Sequence, residues 1–410
     1  MTDLLSRIGA ASAEGSASII KRSLESVRAH LGMDVAYVSE MVGEMSIFRE
    51  VDAPGLEHLA AVGDSRSLDE VYCRHIVAGR LPELMTDTAA VPLAASMPIT
   101  YQIPIGAHVS VPIRQPDGEL YGMFCCLSAT PRPSLNERDL HIVRAFAGLV
   151  AEEIARDTAH LRERSGKRER TLDALEPGAF SVHLQPICDL LDGASLGWEA
   201  LARFALQPPR TPDRWFAEAA DAGLGVELEC AAVGAAARLA PMIPDGMTLS
   251  INAGPATVTS GALDALLCNG FADRLVLELT EHADIADYAE LDRHLAPLRA
   301  RGVKLAIDDA GAGFSGLQHI LRLQPDIIKL DMTLIRDIDT DPARRALAAA
   351  MQTFARQTGA TLTAEGIETA AERSTLLALG FRRGQGYLLG RPAPWETVLA
   401  APSERLRAAG

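Results

Sequence analysis

The sequence predicts an α/β chain, a (β/α)8 TIM-type barrel with one antiparallel strand, preceded by an α+β domain. Three observations predict it. After Gly178, short apolar stretches alternate with amphipathic helical ones, about eight of each over about 230 residues. Nearly every apolar stretch ends in Glu, Asp, Asn, Lys or Gln, as strands do at the chemically active mouth of such a barrel. Before Gly178 the texture is different, with a helix, several short strands and a Pro-Asp-Gly turn.

Composition sets the bounds. A chain of 410 residues with 48% hydrophobic and 23% charged residues is globular and long enough for two or three domains. A net charge of −15 excludes non-specific binding to nucleic-acid polymers or anionic membranes, which basic surfaces favour. The six cysteines form no Cys-x-x-Cys pair and no disulfide framework, which fits a reducing compartment. No run approaches the ~18 apolar residues of a membrane span, and the first 22 residues lack a signal-peptide core. A soluble, cytoplasmic protein is expected.

Taken in order, Ile20, Leu24, Val27 and Leu31 fall on one face of a helix. Strands follow at Ala36–Ser39 and Ser46–Val51, with a short helix over Asp69–Val77. Val109–Ile113 and Leu120–Leu127 form a hairpin about Pro116–Asp117–Gly118. From Leu140 a heptad-like seam runs through Val143, Ala147, Val150, Ile154 and Leu161, and Glu176–Pro177–Gly178 stops the helix. Such a seam either pairs with a twin, giving a homodimer, or packs on its own domain. The organisation is therefore a tail (1–16), a front domain (17–134), a connecting helix (135–176) and a barrel (177–405).

The barrel strands are placed at Ser181–Pro186, Gly197–Ala202, Thr248–Asn252, Leu275–Leu279, Leu305–Asp308, Ile327–Leu330, Thr361–Ala364 and Gly386–Leu389. The first two are separated only by Cys188–Ser195, too short for a crossover helix, so they pair antiparallel. Strand ends supply Glu199, Arg203, Asn252, Glu278, Glu281, Asp308, Asp309, Lys329, Asp331, Glu365, Glu368 and Gln385. Neighbouring residues of a strand face opposite sides. Asp308 and Asp309 can therefore serve one site only where the strand ends and the glycine-rich loop Gly311–Gly316 turns away. So many carboxylates at one mouth repel unless hard divalent cations such as Mg²⁺ or Mn²⁺ bind among them. Two cations about 4 Å apart suit in-line displacement at phosphorus. That chemistry points to phosphoester hydrolysis, while lyases and enolase-like barrels with acids and lysine around Mg²⁺ stay open.

Gly197-Trp-Glu-Ala-Leu-Ala-Arg203 resembles the signature of the EAL-domain cyclic di-GMP phosphodiesterases. The resemblance continues through Asn252, Glu278-Leu-Thr-Glu281, Asp308-Asp-Ala-Gly-Ala-Gly-Phe-Ser315, Ile328-Lys-Leu-Asp331, Ala364-Glu-Gly-Ile-Glu368 and Gln385-Gly-Tyr-Leu-Leu-Gly-Arg-Pro392. It implies hydrolysis of cyclic di-GMP to linear pGpG with two Mg²⁺ or Mn²⁺ ions per site and inhibition by Ca²⁺. By position, Glu199, Asn252, Glu278 and Asp308 would hold the first metal. Asp309 would hold the second, with Glu365 as a further ligand or general base. Lys329 would orient the attacking water, and Arg203 and Leu201 would contact substrate, with Gln385 and Glu368 beside them. Glu281 would anchor the loop after Asp309. The sequence departs from the family at Ala310, where an aromatic is common, and at Ala253–Gly254–Pro255. A catalytically silent receptor of cyclic di-GMP is the alternative.

Residues about 17–155 resemble a GAF sensor domain through Asp69–Cys73, Asp87–Thr88, Ile105–Ile113 and Asp117–Cys125. That implies a small-molecule or chromophore ligand of unknown identity, or a purely dimerising role. Cys73 is a chromophore or redox candidate against a buried structural cysteine, and Cys125–Cys126 sit where burial is the default.

Overall fold

The computed structural model describes residues 16–267, 270–280, 285, 287–310 and 315–400. The chain divides into two compact units, Met1–Glu163 and Arg164–Gly410. No helix among the described residues is long and apolar enough to cross a membrane.

The front unit is built on a six-stranded sheet in the order β3-β2-β1-β6-β5-β4, every pairing antiparallel. Its strands are β1 (Val35–Val42), β2 (Met45–Asp52), β3 (Ser65–Ser67), β4 (Leu84–Met85), β5 (Ala107–Arg114) and β6 (Leu120–Ser128). Strand alternation gives it two apolar faces. Ala36, Val38, Phe124 and Cys126 pack with Ile20, Leu24, Val27 and Leu31 of the helix Ser16–Leu31. Val35, Tyr37, Met123 and Cys125 pack on the other side with Tyr72, Cys73, Ile76 and Ile99. Cys73, Cys125 and Cys126 are buried free thiols, while Cys268 lies outside the described residues. The short helix starts only at Cys73, because Asp69–Tyr72 is spent on turns.

The long helix runs Glu137–Leu175. Its seam through Leu140, Val143, Ala147, Val150 and Ile154 is buried in the front unit's own core. Leu161, beyond that core, is 64% exposed. The face that invited a twin helix is thus mostly covered within its own unit.

The back unit corrects the predicted fold class. Its sheet has nine strands: β7 (Phe180–Asp189), β8 (Ser195–Phe204), β9 (Thr248–Asn252), β10 (Leu275–Thr280), β11 (Lys304–Ala310), β12 (Ile327–Leu330), β13 (Thr361–Ala364), β14 (Arg383–Gly384) and β15 (Ala393–Pro394). Eight close into a barrel through the β14–β7 pairing, and β15 adds to the flank of β7. All three antiparallel ladders, to β8, to β14 and to β15, are made by β7, and the ninth strand is where the sheet departs from eight alternating units. Gly386–Leu389, predicted as the eighth strand, is not a strand; Arg383–Gly384 takes that place. The backbone of Gly386 seats against Ile367, where a Cβ would lie 2.2 Å from the Ile367 carbonyl oxygen, and the chain turns there instead of continuing the ladder.

Candidate active site

Period-two alternation puts the polar residues on one face of the strands and the apolar ones on the other. Trp198 and Ala200 of β8, Leu249 and Ile251 of β9, Leu277 and Leu279 of β10 and Ile328 and Leu330 of β12 belong to the main hydrophobic core. The residues between them, Glu199, Glu278 and Lys329, are buried polar groups of the barrel interior. Beneath them Val276, Ala306 and Ile327 form a small apolar floor.

Asp308 and Asp309 reach one cleft by a route the sequence did not reveal. They lie within β11, where Ile307 pairs with Ile328 and Ala310 with Leu330. Two residues of β11 therefore oppose one of β12, which is a β-bulge. Asp309 takes the extra position with φ 55°, a left-handed conformation that Asp tolerates better than most side chains. The bulge turns the second carboxylate onto the side of the first.

Lys329 stands at the centre, with its side chain 2% exposed. Its Nζ lies 2.6 Å from Glu278 Oε2, 2.8 Å from Glu365 Oε1, 2.9 Å from Asp308 Oδ1 and 3.7 Å from Glu199 Oε2. The Asp308 contact is an ion pair outside hydrogen-bond geometry, so that buried oxygen has no hydrogen-bond partner. Asn252 Nδ2 donates to Glu199 Oε1 at 2.8 Å, and Gln385 Nε2 donates to Glu199 Oε2 at 2.7 Å.

Charge follows from this packing. Burial pushes the Glu278 carboxyl up to about 8, although Lys329 pulls the other way. Burial likewise holds Glu365 well above the usual carboxylate range. Burial alone would depress Lys329, but Asp308, Glu199, Glu278 and Glu365 together raise it well above an ordinary lysine.

The donor set fits hard divalent cations. Carboxylate oxygens of Glu199, Glu278 and Asp308 lie within 4.8 Å of one another, and so do those of Asp308, Asp309 and Glu365. Both groups share Asp308, whose Oδ1 is the orphaned atom. Oxygen donors without His or Cys favour Mg²⁺ or Mn²⁺ over zinc.

The cleft of about 290 Å³ is lined by Glu199, Leu201, Asp308, Asp309, Lys329, Asp331, Glu365, Glu368 and Gln385. Glu368 is held at its rim by Arg336 at 2.9 Å. Arg203 lies beside this cleft in a hollow it shares with Leu201 and Asn252, and its Nη1 donates to the Ala202 carbonyl at 2.9 Å. Glu281 and Gly311–Phe314 lie outside the described residues. Sequence reasoning missed Gln185, whose Oε1 accepts from Gln385 at 3.1 Å. It also missed Glu229, which accepts from Gly254 N at 2.8 Å and Thr257 Oγ1 at 2.6 Å and so fixes the turn after Asn252.

An acid-ringed barrel with a central lysine defines a class of proteins, and the comparisons place the chain within it. A model of the EAL domain matches residues 168–392, more than half of the chain, and a model of the GAF domain matches residues 17–154. The chain belongs to the EAL-domain family and carries a GAF domain in front. Among its relatives is MucR of Pseudomonas aeruginosa, a bifunctional diguanylate cyclase/cyclic di-GMP phosphodiesterase, 31% identical over 56% of this chain and 35% of that protein. RocR of the same organism, a cyclic di-GMP phosphodiesterase, is 30% identical over 55% of this chain and 60% of that protein. A solved phosphodiesterase of PaMucR in complex with c-di-GMP is 29% identical, with a TM-score of 0.52, over 57% of this chain and 99% of that one. The chain thus spans 35% and 60% of the lengths of these two curated relatives.

Proposed function

We propose that this chain hydrolyses cyclic di-GMP to linear pGpG in a reaction that requires divalent cations, and that the GAF domain regulates it. The observation that carries this reading is the pair of carboxylate groups sharing Asp308 around a buried lysine. The organisation that goes with it is a sensor over 17–134, a connecting helix over 135–176 and a hydrolase barrel over 177–405.

In this reading Glu199, Asn252, Glu278 and Asp308 would hold one cation, and Asp309 and Glu365 would hold a second. Two Mg²⁺ or Mn²⁺ ions, when bound, would neutralise phosphate charge and acidify a water for in-line displacement at phosphorus. The chain's own residues set the geometry. Lys329 orients the attacking oxygen from below the mouth, Glu365 stands where it can take the water proton, and Leu201 and Arg203 seat the dinucleotide. Gln385 fixes Glu199 by its 2.7 Å hydrogen bond. Water oxygen bonds to phosphorus as the P–O3′ ester bond breaks, and the departing O3′ takes up a proton from solvent, which leaves a 5′-phosphate and a free 3′-hydroxyl.

Purified full-length protein with Mn²⁺ is expected to convert cyclic di-GMP to pGpG, and EDTA is expected to stop it, both followed by chromatography of the nucleotides. Dinucleotide bound but left intact in Mn²⁺ would make the chain a receptor instead and overturn the proposal.

A further inference from the structure

The last turns of the long helix belong to the back unit, which begins at Arg164. Thr171 and Ala174 are buried there, and Ala174 packs with Trp215, Ala219 and Leu228 in a small separate core. Trp215 and Ala219 lie on the barrel helix Pro212–Asp221. Two ion pairs join these two helices. Lys167 Nζ lies 3.0 Å from Asp221 Oδ2, and Arg170 Nε donates to Glu218 Oε1 at 2.5 Å. Each helix contributes residues three apart, which share a face, and the order of the pairs is reversed, as between antiparallel helices. Glu218 is the centre of this clamp. Its side chain is 11% exposed, and its second oxygen accepts from Arg210 Nη1. The Arg210 guanidinium in turn lies over the Trp215 ring, 5.3 Å from its centroid.

The same barrel helix reaches the hollow that holds Arg203. Pro212, Asp213 and Phe216 line that space of about 270 Å³ together with Leu201, Arg203 and Asn252. Trp215 and Phe216 both pack on Phe204, with ring centroids 5.5 Å and 5.8 Å away, and Phe204 follows Arg203 on β8. We propose that Glu218 is a positioning residue for the substrate. By clamping the helix Pro212–Asp221 to the last turns of the long helix, it fixes the aromatic wall beside Arg203 and so sets how tightly the cyclic dinucleotide is held. The inference rests on the reading of Arg203 as a substrate contact. Protein interiors are close-packed, so a helix released on one face shifts the rings on its other face rather than leaving a void. Glu218 lines neither the cleft nor the hollow. Its influence therefore falls on ground state and transition state alike, which changes affinity and not the chemical step.

The test compares the full-length parent with Glu218→Gln, Arg203→Gln, their double variant and Arg170→Gln. Two readouts are taken, steady-state kinetics in Mn²⁺ and calorimetric titration with cyclic di-GMP in EDTA. Glu218→Gln is expected to raise the Michaelis constant and the dissociation constant at least about threefold, as coupled neighbours do, with kcat held within about twofold. In the Arg203→Gln background the same substitution is expected to add nothing, because the residue it acts through is gone. A mere loosening of the fold would weaken binding in both backgrounds alike. Arg170→Gln frees Glu218 from the long helix and is expected to reproduce the loss of affinity. It also decides the matter if dichroism shows that Glu218→Gln does not fold. Unchanged affinity in folded Glu218→Gln or Arg170→Gln, or an equal loss with and without Arg203, overturns the inference and leaves the hydrolase reading standing. Unchanged affinity in Arg203→Gln removes Arg203 from the substrate site and the inference with it. A parent that binds the dinucleotide but leaves it intact overturns hydrolysis alone, since the titrations still read the clamp.

Discussion

Glu278 shows how one buried residue makes the stability of the barrel depend on pH. Its carboxyl is pushed up to about 8 by burial, and Glu365 is raised with it, whereas in the unfolded chain both ionise near 4.3. Between those values the folded chain holds protons that the unfolded chain has lost. Stability from this source is therefore full below about pH 4.3 and is lost as pH rises through about 8. Lys329 keeps its charge across that window, because its own shift is upward. In protein stripped of divalent cations, the melting temperature is expected to fall between pH 5.5 and pH 8, and Glu278→Gln is expected to flatten the slope. Thermal melts in EDTA across that range measure both, and a wild-type slope no steeper than the variant's would refute the assignment. The acids themselves were legible in the sequence because they close apolar runs. Their common ion-pair partner was legible only as a lysine among acids, since the four distances to Nζ depend on strands far apart in the chain.

At the scale of elements, strand positions were legible wherever an apolar run of four or more residues carried its own period. β9, β12 and β13 fall at the predicted residues. Two features escaped. The β11 bulge adds one residue to a ladder without changing composition, so Asp308–Asp309 looked like a strand end. The run Gly386–Leu389 looked like a strand, but its first residue has no room for a side chain. There a Cβ would meet the Ile367 carbonyl oxygen at 2.2 Å and the Ile367 nitrogen at 2.3 Å, both backbone atoms that cannot swing aside. Gly386→Ala must therefore displace the segment that begins at Gln385, the residue hydrogen-bonded to Glu199. A loss of about 1–3 kcal/mol in stability is expected from the overpacking, with a fall in the proposed cyclic di-GMP hydrolysis beyond what unfolding explains. Denaturant melts and turnover assays on the same preparation separate the two effects. A variant as active and as stable as the parent would show that this turn does not position Gln385. Gly254 is a gentler case, since the departure from the family there leaves its amide free to donate to Glu229 at 2.8 Å.

At the scale of the whole molecule, the texture of the sequence changes near Gly178, because strand-turn-strand and strand-helix patterns leave different hydrophobic periods, whereas the compact units divide at Glu163 and Arg164. The sequence could not tell whether the seam of the long helix serves a partner or its own unit. Leu140 to Ile154 satisfy both patterns, and only the sheet they pack on decides. Each unit owns closed hydrophobic cores, the front one through Leu24, Val143 and Tyr72 and the back one through Leu249, Leu277 and Ile328. Cooperative unfolding follows such cores, so a chain with separate cores departs from a single two-state transition. The proposed cation ligands all come from the back unit, and a ligand that binds only the folded form raises the stability of the unit that holds it, by about 2.7 kcal/mol at a hundredfold excess over its dissociation constant. Differential scanning calorimetry of the full chain is therefore expected to resolve two transitions, of which Mn²⁺ raises one and EDTA returns it to its starting temperature. Glu199→Gln is expected to weaken that shift while leaving the other transition in place. A single transition that moves as a whole with Mn²⁺ would mean that the two sets of cores unfold as one, and the assignment of independent folding units would fall.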